Sequence, residues 1–148
     1  VSAFGDVFFV DRNNRIHFLD ASFGVLEEVA GSNDELRQRM NSDLLFTRQL
    51  LRLDLFDQLK SRAPLGPEQV YWFKAPLQFG GPPTAENVTP VTAGFALDFL
   101  GQVNAGTAEL QTGAEFAMNF AGFPGHDANE PPTRARKAPR DRPSLAKR

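Results

Sequence analysis

The 148-residue sequence contains no cysteine, and that absence removes disulfides, thiolate metal sites and cysteine nucleophiles together. Histidine is nearly as scarce. His17 and His126 are the only imidazoles, too few to supply the convergent groups of a zinc site or a serine-hydrolase triad. Long apolar runs are also missing, since no segment approaches the roughly 20 residues of a membrane-spanning helix. The opening Val1-Ser2-Ala3-Phe4-Gly5-Asp6 has neither the basic region nor the apolar stretch of a secretory signal. The expectation is a cytoplasmic protein that makes no membrane contact. Tyrosine and tryptophan occur once each against 14 phenylalanines, so core volume has to come from Phe and Leu. Burying each such side chain contributes roughly 1.5–3 kcal/mol relative to exposure. A chain of this length fits one domain of about 100–150 residues.

Charge is divided unevenly. Residues 1–125 carry 9 Lys/Arg against 15 Asp/Glu, a net of −6, whereas residues 126–148 carry 7 against 3, a net of +4. An acidic body repels nucleic acid and suits a basic partner, because complementary potentials raise on-rate and specificity. The C-terminal 23 residues hold four prolines and Leu145 as their one large aliphatic. Such a segment buries too little to offset its ordering entropy, and 126–148 is predicted to be a disordered basic tail whose deletion leaves stability nearly unchanged. Arg134, Arg136, Lys137, Arg140 and Arg142 are suited to phosphates, but the segment lacks the aromatic groups on which bases stack.

Between these limits the pattern alternates sheet and helix. Phe4 to Val10 and Arg15 to Leu19 flank the turn-forming Asp11-Arg12-Asn13-Asn14 and predict a β-hairpin, with Val25 to Val29 as a third strand. Ser32 and Glu35 have capping-box spacing before a short helix to about Met40. Ser42 or Asp43 then caps a second helix in which Leu44, Leu51, Leu55 and Leu59 form one stripe, widened by Phe46, Leu50 and Leu53. Pro64 and Pro67 end it. Val70 to Lys74 reads as a central strand, and alternation sends Tyr71 and Phe73 to one face, Trp72 and Lys74 to the other. Pro76, Gly80-Gly81 and Pro82-Pro83 make an irregular loop long enough to suggest binding. Glu86 to Thr92 is a strand confined to an edge by Pro90. Residues 94–110 form an amphipathic helix, and Glu115 to Phe120 a last short strand. The fold class is α+β, an antiparallel sheet of about four to six strands covered by two or three helices over residues 1–125.

Catalytic constellations are not evident. Gly80-Gly81 has no following Lys-Ser/Thr and so is not a phosphate loop. Glu27 and Glu28 are adjacent in a strand and point to opposite faces. Asp54 and Asp57 share a helix face, yet a pair of acids there is normally solvated. His17 reads as a partly exposed strand residue. No cofactor or metal is expected. Trp72 belongs to the residue type most enriched at interface hot spots, and it stands beside the double-glycine loop.

The order of landmarks carries further information. Phe4-Gly5-Asp6-Val7-Phe8-Phe9, Leu65-Gly66-Pro67, Tyr71-Trp72-Phe73-Lys74, Gly80-Gly81, Glu86-Asn87-Val88 and Leu100-Gly101-Gln102-Val103 follow one another at a spacing that resembles the C-terminal domain of type VI secretion immunity proteins against a DNase effector. Members of that family often carry a GAD-like domain ahead of this one. The resemblance implies a non-enzymatic inhibitor that neutralises a cognate, basic, DNase-type toxin by binding it, with no direct nucleic-acid contact by the folded domain. It implies structural roles for Phe4, Gly5, Asp6, Phe8, Tyr71, Phe73, Gly101 and Gln102. Toxin contact is then expected at Trp72, Phe79, Gly80, Gly81, Glu86 and Asn87, and at the acidic pair Asp54 and Asp57. Two other readings compete: a small enzyme with a cleft near Trp72 and His17, and a regulatory or nucleic-acid-associated module using the basic tail.

Overall fold

A three-stranded antiparallel meander opens the chain in the computed structural model, which describes residues 1–118, 129, 131 and 133–137. Strand β1 (Val7–Val10) pairs with β2 (Ile16–Asp20), and β2 with β3 (Val25–Ala30). The first turn forms as its sequence dictates, with Asp11 Oδ1 accepting from the backbone N–H of Asn13 and Arg15 at 2.8 and 2.9 Å. Helices α1 (Asn33–Ser42) and α2 (Leu44–Leu51) cover one face of the meander. Both start where expected. Ser32 Oγ accepts from Glu35 N–H at 3.1 Å while the Glu35 carboxylate accepts from Gly31 N–H at 2.7 Å, and Asp43 Oδ1 accepts from Phe46 N–H. Ile16, Phe18, Val29, Phe46 and Leu50 are buried between sheet and helices.

The expected single helix from residue 43 to about 60 is broken. Arg52 adopts the left-handed conformation, φ 49° and ψ 43°, and α3 (Leu53–Leu59) starts afresh beyond it. A non-glycine residue in that region costs about 1–2 kcal/mol, so something must hold it there. The guanidinium reaches between two buried carboxylates, Asp6 at 2.6 Å and Asp20 at 3.0 Å, which a continuing helix would carry it away from. Leu44, expected in the apolar stripe, is exposed together with Leu45 at the start of α2.

The remaining strands do not join the meander. Strand β4 (Gln69–Phe73) pairs only with β5 (Val88–Thr92), and β6 (Glu115–Met118) only with β7 (Thr133–Arg136), so the described strands fall into three antiparallel sheets. The α+β class and the edge position of the proline-bearing β5 agree with the sequence reading. Strand β4 is buried on both faces: Tyr71 and Phe73 meet Phe4, Leu55, Leu59 and Val88, while Val70 and Trp72 lie under α4 (Ala93–Gly106) with Ala96 and Leu100. Asn104 Nδ2 donates to the Ala21 carbonyl at 3.1 Å and so ties α4 to the end of the meander.

Strand β7 corrects the tail. Thr133–Arg136 lie within the stretch predicted to be disordered, yet they form a ladder with β6, and Lys137 beyond them is buried. Composition does not encode the backbone pairing and the one buried cation that dock this segment. Lys137 Nζ donates to the carbonyls of Thr107 and Leu110, each at 2.6 Å, at the C-terminal end of α4. A cation just beyond that helix end meets the negative end of the helix dipole. His126 and the basic residues beyond Lys137 lie outside the described residues.

Candidate interaction surface

The residues expected to bind a partner divide into an exposed set and a buried set. Trp72 is in the second. It is 3% exposed, with Phe95 and Phe99 edge-on at 5.6 and 4.9 Å, so the face of β4 expected to be open is covered by α4. A buried strand with α4 on one side and the N-terminal segment and α3 on the other leaves no room for an exposed aromatic. Asn87 is also buried, and its side chain points into its own loop. Its Oδ1 accepts from Ala75 N–H at 2.8 Å, and its Nδ2 donates to the carbonyls of Ala75 and Pro82 at 2.8 and 2.9 Å. Both are therefore structural residues.

That single amide shapes the loop over residues 75–87. Two 3-10 turns, Leu77–Phe79 and Ala85–Asn87, flank the glycines. Gly80 ends the first with φ +84°, and a Cβ at Gly81 would lie 1.9 Å from the Ala75 carbonyl oxygen, so backbone passes where no side chain fits. The loop is preorganised rather than slack. Gly81→Ala is expected to cost about 1–3 kcal/mol by overpacking, read as a lower thermal midpoint.

Outward lie Gly80, half-buried Phe79, and Glu86, whose carboxylate is 3.8 Å from Arg62. Helix α3 packs against the Ala85–Asn87 turn, and it exposes Asp54, paired with Arg48, and Asp57, 2.8 Å from Lys60. The structure thus brings Asp54, Asp57 and Glu86 onto neighbouring elements, each with a basic neighbour. The hydrogen bond from Lys60 holds the Asp57 carboxyl below the usual carboxylate range. Glu86 is lowered by its own backbone N–H and by Thr84. Such a surface offers a partner alternating charge rather than a uniform acidic field, which favours specificity over long-range attraction.

Other expected structural positions behave differently from one another. Phe4 stacks on Phe73 with ring centroids 5.9 Å apart and lies tilted against Tyr71 at 5.4 Å, Phe8 meets Phe18 edge-on at 5.0 Å, and Gly5 takes φ +81°. Gly101 and Gln102, by contrast, are exposed on α4, and a Cβ at Gly101 would touch nothing. Nothing in the structure explains a structural role for that pair. His17 sits half-buried with Nε2 3.2 Å from Asp11 Oδ2.

The sequence reading missed the buried ionic centre. Arg52 forks to Asp6 Oδ2 and to both oxygens of Asp20, while Ser2 Oγ and Ala21 N–H complete Asp6. Burial alone would depress the Arg52 guanidinium, but the two carboxylates outweigh it and hold its pKa above the ordinary arginine value. The available signal was Arg52 itself, a lone cation inside Leu50-Leu51-Arg52-Leu53. The other missed feature is the side of the meander that no described helix covers, where Val7, Phe9, Leu19 and Leu26 share a face by register with His17 and Glu28, and Phe9 and Leu26 are exposed.

A cleft of about 590 Å³ is lined by Val1, Ser2, Ala3, Glu68 to Val70 and Thr92 to Gly94, which offers one carboxylate without an acid-base companion. No group of three His, Cys, Asp or Glu among the described residues could hold a metal ion. No described helix is long and apolar enough to cross a membrane. Comparison with known proteins returns nothing: no family model, curated protein or solved structure matches this chain.

Proposed function

We propose that this chain is a cytoplasmic binding protein of the immunity type, which neutralises a cognate DNase-type toxin delivered by type VI secretion through stoichiometric occlusion. The observation that carries the reading is the preorganised loop 75–87 beside the ionic face of α3. A loop already fixed by Asn87 and Gly81 loses little conformational freedom on binding, so contact energy is retained as affinity. The landmark order from Phe4 to Val103 supports the same reading. Its contact residues are Phe79, Gly80, Glu86, Asp54 and Asp57, with Trp72, Asn87 and Gly81 acting behind them as supports.

Titrating a purified DNase-type effector encoded beside this chain against increasing amounts of it is the test. Inhibition should saturate at a fixed molar ratio. Asp57→Lys or Glu86→Lys should weaken protection while leaving the thermal midpoint close to that of the parent, since both side chains are exposed. Inactivation of the toxin at trace ratios would assign an enzyme instead, and an unaffected toxin would remove the proposal.

A further inference from the structure

Sheet edges are rows of unpaired donors and acceptors, which proteins blunt with charge, proline, bulges or a cover. The meander has two edges, and they differ. Strand β3 carries Glu27 and Glu28, and its ladder with β2 shifts register between Ile16 and His17. Strand β1 reads Val7-Phe8-Phe9-Val10, without charge or proline, and among the described residues it pairs with β2 alone. Phe9 is 45% exposed and Val10 57%.

Which backbone groups face outward follows from the turn. Asp11 N–H donates to the Arg15 carbonyl across the hairpin at 2.9 Å. In the alternation of an antiparallel ladder, Val10 opposite Ile16 is then a non-hydrogen-bonded pair, and so is Phe8 opposite Phe18. Phe8 and Val10 therefore aim their N–H and C=O groups away from β2. The free length ends toward the N-terminus, where the Asp6 carbonyl already accepts from Ser2 N–H at 2.7 Å.

We propose that β1 is the surface through which two copies of this chain associate, antiparallel about a twofold axis, joining their meanders into one continuous sheet. Charge selects this pairing. Joining β1 to β1 sets no charged residues opposite each other within the strands, whereas β3 on β3 confronts Glu27 and Glu28 with acidic strands, and like charges directly opposite are destabilising. Joining β1 to β3 is head-to-tail and leaves an open edge at each end, so it does not close. With Phe8 of one copy opposite Val10 of the other, their outward groups exchange reciprocal hydrogen bonds. The two Phe9 rings then meet on the face that no described helix covers, beside Val7 and with His17 opposite each ring in its own copy. This pairing is independent of the toxin-binding reading.

Light scattering and sedimentation of the full chain test it across micromolar to millimolar concentrations. The mass should rise from 16.4 kDa toward twice that value. Val10→Pro removes an outward donor without removing a rung of the β1–β2 ladder and should raise the dissociation constant by about tenfold or more, equivalent to about 1.4 kcal/mol. Phe9→Lys, which places like charges opposite each other, should do the same. Leu26→Lys on the other edge should dimerise as the parent does. Circular dichroism checks that each variant folds, and amide exchange at Phe8 and Val10 of the parent should slow as concentration rises. A mass fixed at the monomer value, exchange independent of concentration, or a dimer untouched by either β1 variant overturns the proposal.

Discussion

Arg52→Ala is expected to lower unfolding free energy by about 3–5 kcal/mol, the cost of removing one partner from a buried ion pair and leaving its charges uncompensated. Here the substitution strands two carboxylates, Asp6 and Asp20, both almost without solvent exposure. Those carboxylates stand at the start of β1 and the end of β2, while Arg52 is the break between α2 and α3, so the loss loosens three elements at once. Arg52→Lys keeps the charge without the planar fork and should recover only part of the stability. Arg52→Gly separates the side chain from the backbone. It loses the same ion pairs, but glycine is at ease at φ 49°, so it should exceed Arg52→Ala in stability by about 1 kcal/mol. Denaturant unfolding of the three variants beside Arg48→Ala, an exposed pair of the ordinary kind, gives the comparison. Equal, small losses at positions 48 and 52 would mean that the triad does not hold the helix break.

Arg52 also shows where sequence reasoning stops. Local signals were legible wherever the cause was local: the Asp11 turn, the Ser32 and Asp43 caps and the Pro90 edge strand all lie where residue chemistry within a few positions puts them. The helix break was not, because its cause lies 46 and 32 residues away in sequence, at Asp6 and Asp20. Trp72 marks the same boundary at the candidate site. Alternation correctly separated it from Tyr71 and Phe73, but whether its face meets solvent depends on where α4 packs, which no pattern within β4 encodes. Gly80 and Gly81 were recognisable as loop residues. The role of Asn87 was hidden because an amide that bonds its own loop reads, in sequence, like one offered to a partner.

The C-terminal segment supplies the second large expected effect, opposite to the one its composition suggests. A chain truncated after Gly125 should melt several degrees below one truncated after Lys137, because only the longer form retains β7 and the cation at the end of α4. Lys137→Met isolates the cation. It preserves length and apolar stem but leaves the Thr107 and Leu110 carbonyls without their charged donor, and hydrogen bonds to charged groups contribute about 1.5–3 kcal/mol. For a domain of this size that corresponds to a midpoint lower by roughly 3–12 °C. Arg136→Ala removes an exposed contact from Nε to the Gly113 carbonyl and should cost far less, which guards against attributing the effect to net charge. Salt offers a further check: screening acts on exposed charges much more than on buried ones, so the deficit of Lys137→Met should persist at high ionic strength. Equal midpoints for the two truncated chains would return residues 126–148 to the status of a dispensable basic extension, whereas a lower midpoint for the Gly125 form makes the last described strand a working part of the fold.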